Sequence, residues 1–417
     1  MKVLIKSARI IDNESPYHQK VVDILVENGI ISEISSTIEI KDADKEINFE
    51  NLHVSQGWFD SSVSFGEPGY EDRETIENGL KTASKSGFTA IALNPGNDPV
   101  TDNKGAVSFL QNKAERSPVL LYPIGSLTKR SEGKDLAELY DMQQAGAVAF
   151  GDYKKAVSNP NLSKIALQYS QNFDGLVQSF PQENRIAGNG SVNENENSTY
   201  LGLKGIPALA EELQIARDLY ILEYTGGKLH IPTISTAKSV EIIREAKEKG
   251  LDVSCSVAIH NLFFTDDVLK DFNTNAKVLP PLRTKADVKA LIAGVKDETI
   301  DMVTSDHIPM DIEHKKVEFD NALFGTLGLE SAFGALLKIF SLKTVIKMLN
   351  SGKSRFNLPE DSIDEGNRAN FTFFDPEAAY TFNLSDISSS SKNSLFLGAE
   401  LKGKVYGIFS KGDFHPS

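Results

Sequence analysis

The first 50 residues alternate short apolar runs with turn residues: "KVLIKSARII", "VVDILVENGIISEI" and "KEINF". This pattern predicts strands, and Asn28-Gly29 between two of the runs predicts a hairpin turn. From about residue 54 the rhythm changes to strand followed by helix, repeatedly. The predicted strands are "HVSQGWFDSS", "FTAIALN", "VLLYPIGS", "AVAFGD", "GLVQSF", "KLHIPTIS", "LDVSCSV" and "TIDMVTSD". Amphipathic helical patterns lie between them, among them "TIENGLKTASKSG", "LAELYDMQQAG" and "KSVEIIREAKEKG"; the last ends on Lys and Gly, as helix C-termini prefer. Strands alternating with helices at this period predict an α/β chain built as a parallel (β/α)8 TIM barrel. After about residue 365 the chain returns to β character in "ANFTFFDPEAAYTF" and "KGKVYGIFSKGDF". The expected organisation is a barrel over 54–364 and a small β-sandwich module made from both chain ends, 1–53 and 365–417. The one low-complexity stretch, "ISSSSKNS", reads as a surface loop.

A length of 417 residues suits a large barrel plus a smaller module, and 40% hydrophobic with 24% charged residues is an ordinary globular composition. The net charge of −14 argues against a general nucleic-acid or anionic-membrane surface, which needs clustered positive charge. The N-terminus breaks into charge too early for a signal peptide, and no apolar run approaches membrane-spanning length, so a cytoplasmic protein is expected. Cys255, the single cysteine, has no partner for a disulfide or a thiolate metal site and reads as a core thiol. No glycine-rich phosphate motif follows a strand.

Chemistry in such a barrel belongs at the C-terminal ends of the strands. Those ends carry Asp60, Ser62 and Ser64, then Asp152, Ser179, Thr233, His260, and finally Asp306 with His307. Ser62 and Ser64 could suggest a serine nucleophile, but the chain has no nucleophile-elbow motif.

Longer stretches around these ends are distinctive: "FDSSVSFGEPGYEDRETIENG", "GFTAIALNPGNDPVTDN", "GAVAFGDYKKAV", "NENENSTYLGLKGIPALAEELQIARDLYILEYTGGKLHIPTIST", "LPPLRTKADVKALIAGVKDETIDMVTSDHIPMDIEHK" and "SKNSLFLGAELKGKV". Through them the chain resembles the dihydroorotase family of the amidohydrolase superfamily along nearly its whole length. The resemblance implies a TIM barrel of the metal-dependent hydrolase type and zinc-dependent opening or closing of the dihydroorotate ring in pyrimidine biosynthesis. It also implies where metal ligands should lie. The family's first-strand signature, D-x-H-x-H-x-R-E-P-G, puts its two histidines on Ser62 and Ser64. The fifth-strand histidine falls on Ser179 (within about one residue) and the sixth-strand histidine on Thr233. The bridging acid matches Asp152, and the eighth-strand aspartate, the proton shuttle, matches Asp306. On the substrate side, the family's arginine falls on Gly66, two asparagines on Gly96 and Leu279, and a histidine on Met310. His260 and Asn261 match a histidine pair of the family.

Hydroxyls are weak zinc ligands beside imidazole, thiolate or carboxylate. Without the metal, no bound water is brought to a pKa of about 7 and the hydroxide nucleophile is lost. Asp306 is then expected to be a catalytic remnant without function, and no metal or cofactor is expected. Asp152 and Asp306 read either as site remnants or as structural carboxylates, and His260 and His307 as satisfied polar groups or as a surviving base. The expected function is a non-catalytic homologue, a pseudoenzyme with a structural or regulatory role. It would assemble with itself or with aspartate carbamoyltransferase, as similar inactive members do. The alternative is an active dihydroorotase or related cyclic amidohydrolase with an altered zinc site.

Overall fold

The computed structural model describes residues 1–40 and 42–417. Five strands open the chain: β1 (Lys2–Ile10), β2 (Val21–Glu27), β3 (Ile30–Ser35), β4 (Lys45–Ile47) and β5 (His53–Gln56). Asn28 and Gly29 take positive φ angles of 52° and 79° between β2 and β3, the turn that an Asn-Gly pair favours. The next strands are β6 (Trp58–Val63), β7 (Phe88–Leu93), β8 (Leu120–Gly125), β9 (Ala149–Phe150) and β10 (Leu176–Gln178). A two-stranded ribbon, β11 (Val192–Asn193) and β12 (Gly205–Ile206), precedes β13 (Lys228–Ile231), β14 (Val253–Ala258) and β15 (Met302–Thr304). The chain ends in β16 (Phe371–Thr381), β17 (Glu400–Ser410) and β18 (Asp413–Pro416).

Strands β6 to β10 and then β13 to β15 pair in parallel, in sequence order. A parallel bridge between Val63 and His307, with the Ser64 N–H donating to the His307 carbonyl at 2.9 Å, brings the last strand end against the first. With helices between the strands, this is the expected TIM barrel. Both chain ends contribute to one mixed sheet, in the order β18-β17-β16-β5-β1-β2-β3 with β4 beside β1. Within it β1 runs parallel to β4 and β5, and the other pairs are antiparallel.

The single strand expected over "HVSQGWFDSS" is divided at Gly57. Its first half, β5, lies in the terminal sheet, and its second half, β6, opens the barrel. A Cβ at Gly57 would lie 2.2 Å from Thr89 Oγ1, so only glycine lets the chain pass between the two sheets. Trp58 fixes the junction. It is fully buried, donates from Nε1 to Ser55 Oγ at 2.9 Å, and packs against Phe88, Phe333 and Phe374.

Phe59, Ala90, Ala92, Ile124, Ala149, Leu176 and Met302 fill the N-terminal end of the barrel together with Phe356 and Leu358. Above this apolar floor the interior turns polar: His230 contacts Ser254 Oγ at 2.9 Å and Ser256 Oγ at 3.3 Å. The "ISSSSKNS" stretch is not the surface loop its composition suggests. Ser389, Ser391, Asn393 and Ser394 are buried, and the loop ties strand ends together through Ser389 to Glu330 (2.6 Å), Ser390 N to Glu74 (2.8 Å) and Asn393 to the Ile308 carbonyl (3.0 Å). Among the described residues no helix is long and apolar enough to cross a membrane.

Candidate active site

The strand ends converge on Asp306, which follows β15 with a left-handed φ of 46° and a side chain sealed from solvent. Its carboxylate faces four groups. Lys154 Nζ lies 2.7 Å from Oδ2, while Tyr153 OH and Ser62 Oγ approach Oδ1 at 3.2 and 3.4 Å. His260 Nε2 lies 4.0 Å from Oδ2. Lys154 also donates to the Leu279 carbonyl, which joins the loop after β9 to the segment leading into Pro280. Burial pulls Asp306 above the usual carboxylate range and Lys154 below the usual lysine range, and their mutual attraction opposes both shifts. Tyr153 is held well above its ordinary value by burial, with the Asp306 charge adding to it.

Of the first-strand residues, Ser62 and Ser64 share one donor. Asn94 Nδ2 reaches Ser62 Oγ at 3.1 Å and Ser64 Oγ at 3.2 Å. Asp60 lies beneath them and is structural: it accepts the Ser62 and Ser305 N–H groups at 3.1 and 3.0 Å and the Thr304 hydroxyl. Burial lifts it to about 6 against these bonds. Asp152 has both oxygens occupied by the loop after β8, from Ser126 Oγ at 2.7 Å, Thr128 N at 3.0 Å and Thr128 Oγ1. Thr233, at a φ of 52°, lines the cleft and donates its N–H to Ser256 Oγ at 3.1 Å.

The fifth strand presents a different residue from the one the alignment picks out. Ser179 turns outward and donates to Asp218 Oδ2 at 2.6 Å, and Arg217 and Gln214 hold that carboxylate from the same helix. Gln178 and Phe180, on the opposite face of the alternating backbone, line the cleft instead. Lys154 and Tyr153 are the functional-site residues that sequence reasoning missed. "GDYKKAV" gives no sign of which lysine turns inward.

The positions matched to substrate contacts lie as follows. A Cβ at Gly66 would lie 1.7 Å from the Tyr70 carbonyl, so no side chain fits this loop as folded. Gly96 sits on an exposed loop where an added Cβ would be 3.4 Å from the Tyr153 ring. Leu279 offers its carbonyl to Lys154, and Met310 donates its N–H to Asn393 at 3.0 Å. His307 is a helix cap: its Nδ1 accepts the N–H groups of Gly328 and Leu329, both at 3.3 Å, and burial depresses it to about 4. His260 is fully buried with neither ring nitrogen hydrogen-bonded among the described residues, and burial with the nearby Lys154 charge holds it to about 3.

Zinc does not fit this donor set. Four of the six matched positions carry hydroxyls, Asp152 is already satisfied, and an ammonium lies against Asp306 where a cation would bind. No cluster of three or more His, Cys, Asp or Glu side chains able to hold a metal ion occurs among the described residues. Ser62, Asn94, Tyr153, Lys154, Gln178 and Thr233 line a narrow cleft at the strand ends. The arrangement can neutralise a buried carboxylate and bond the ends of strands to one another.

Comparison with known proteins shows which proteins the chain is similar to. Residues 53–239 match the family model described as Dihydro-orotase-like. The chain is 40% identical to the dihydroorotase of Acetivibrio thermocellus over 99% of its own length and 98% of that protein. It is 38% identical to the dihydroorotase of Geobacter metallireducens over 97% and 96% of the two chains. Among solved structures, the L-hydantoinase of Arthrobacter aurescens superposes with a TM-score of 0.87 at 21% identity, covering 99% of this chain and 95% of that one, which speaks to the fold alone. With the barrel, its order of strands and full-length relatives at this identity in hand, the chain belongs to the dihydroorotase family.

Proposed function

We propose that this protein is a non-catalytic member of its family, keeping the barrel as a scaffold with a structural or regulatory role in pyrimidine biosynthesis. The observation that carries this reading is the Lys154 ammonium 2.7 Å from Asp306, at the end of the strand where the family's resemblance places a zinc-bound site. A fixed side-chain cation there neutralises the carboxylate as a metal would, but brings no water to be deprotonated. The serines at 62 and 64, the threonine at 233 and the occupied Asp152 agree with it. On the same reading Ser62, Ser64, Asp152, Ser179, Thr233 and Asp306 are former metal-ligand positions, and Gly66, Gly96, Leu279 and Met310 are former substrate positions. The protein would be cytoplasmic and would act through assembly, with itself or with aspartate carbamoyltransferase.

The reading as an active dihydroorotase rests on the relatives' names and on His260, a neutral imidazole with neither ring nitrogen hydrogen-bonded among the described residues. The two readings separate in one assay: full-length protein with added zinc, followed by absorbance in both directions of the dihydroorotate reaction. The proposed reading expects no turnover above a buffer control. Turnover in the ordinary enzymatic range, about 1–1000 per second, would establish the active reading instead.

A further inference from the structure

The loop after β9 carries two consecutive lysines in opposite surroundings. Lys155 is exposed, while Lys154 turns in to line the cleft at the strand ends. The Lys154 side chain keeps 12% of its surface exposed and Asp306 keeps none, so a molecule entering the cleft meets the lysine before the carboxylate. Ser62, Asn94, Gln178 and Thr233 offer hydrogen bonds around it, with Phe180 and Pro232 as apolar walls. Lys154 holds one oxygen of Asp306 at 2.7 Å, and the hydroxyls of Tyr153 and Ser62 reach the other at 3.2 and 3.4 Å. His260 lies 4.0 Å from the oxygen that Lys154 holds, fully buried, with neither ring nitrogen hydrogen-bonded among the described residues. Buried polar groups are nearly always partnered, so this imidazole marks hydrogen-bonding capacity that the chain itself does not use.

A lysine amine beside a carboxylate in an enclosed cleft is suited to carbonyl chemistry, since lysine forms imines with aldehydes and ketones. We propose that Lys154 captures a small uncharged aldehyde or ketone as an imine at Nζ. The ammonium passes one proton to Asp306, and the neutral amine adds to the carbonyl carbon. A nitrogen–carbon bond forms as the carbonyl π bond opens, and a second proton moves from nitrogen to the oxygen. Asp306 returns its proton to that hydroxyl, which leaves as water while the nitrogen lone pair closes the iminium. Ammonium and carbonyl thus become iminium and water with no net change of charge, so a cation still lies against the buried carboxylate. Tyr153 and Ser62 hold that carboxylate through both transfers, and His260 lies where the water forms. Charge also sets the class of ligand. Lys154 offsets only Asp306, so a second anionic group in the cleft would be buried without a cation of its own. The hydroxyl and amide lining suits a carbonyl compound that carries hydroxyls of its own. This assignment builds on the non-catalytic reading, which sets an ammonium rather than a metal against Asp306, and gives that reading a ligand: reversible capture in place of turnover.

The test uses full-length protein whose metal content has first been read by mass spectrometry. Millimolar glycolaldehyde is added with cyanoborohydride, which reduces an imine to a stable amine, and peptide mapping locates the adduct. The exposed Lys155 is the internal control. The adduct should form at Lys154 about 100-fold faster than at Lys155, a gain of the size a positioned proton-transfer group supplies. Lys154→Arg keeps a cation against Asp306, so it should melt close to the wild-type temperature and lose the fast adduct. Tyr153→Phe should slow labelling at residue 154 and leave the rate at Lys155 where it was. Glyoxylate, which carries a carboxylate, should label Lys154 no faster than Lys155; faster labelling there would overturn the assignment of an uncharged ligand. Lys155 reacting as fast as Lys154, or Lys154 staying unlabelled, would overturn the proposal itself. In metal-free protein that outcome leaves the non-catalytic reading standing, whereas bound zinc would end that reading whatever the labelling shows.

Discussion

At the scale of single residues, the account turns on Lys154 and Asp306. A carboxylate sealed from water is costly unless a cation is held against it, and here the cation is covalently part of the chain. Lys154→Met should leave the buried Asp306 without its cation, with only the Tyr153 and Ser62 hydroxyls facing it, lowering stability by about 3–5 kcal/mol. Asp306→Asn placed in the same background should recover a large part of that loss. A double-mutant cycle read by urea unfolding checks the coupling; additive single effects would mean that the pair does not act as a unit. Little of this was legible in the sequence. Two adjacent lysines in "GDYKKAV" look alike until the fold turns one inward, at a φ of 53° for Lys154. Ser179 and Gln178 differ only in which face of a strand they occupy, so an uncertainty of one residue exchanges inside for outside. The short hydroxyl residues at 62, 64 and 233 could be read directly, because their types need no geometry to be noticed.

At the scale of elements, the repeated βα rhythm was legible because hydrophobic periodicity survives wherever one face of an element meets the core. It failed where that rule fails. The helix Ala208–Thr225 shows no clean amphipathic stripe, since Glu211, Gln214 and Asp218 are buried among apolar residues while Leu209, Leu213, Tyr220 and Tyr224 are exposed. The strand over "HVSQGWFDSS" looked continuous because both sheets it serves bury it, and only the close approach at Gly57 divides it. Trp58, next to that division, joins sheet to barrel through Phe88, Phe333 and Phe374. Trp58→Ala should therefore cost about 3–5 kcal/mol, as large aromatic deletions in a core do. Calorimetry of the full chain should show the terminal sheet and the barrel still melting together in the wild type. A loss below about 1 kcal/mol would show that the junction collapses around the missing ring.

At the scale of the whole molecule, the proposed reading separates scaffold from site. The barrel keeps the fold of distant solved structures, while the residues at its strand ends bond to one another. Folding of such a barrel depends on hydrophobic burial and strand pairing, which do not require the metal, so the site could be refilled without losing the fold. On the proposed reading Lys154 performs as structure what the family's resemblance assigns to zinc as chemistry. The most direct measurement is the metal content of full-length protein purified in zinc-supplemented, chelator-free buffer, read by mass spectrometry. Less than about a tenth of an equivalent of zinc is the predicted result, because hydroxyl donors and an ammonium-paired carboxylate make no zinc site. One or two equivalents bound would contradict the account, since the Lys154–Asp306 pair would then have to open to admit the ion.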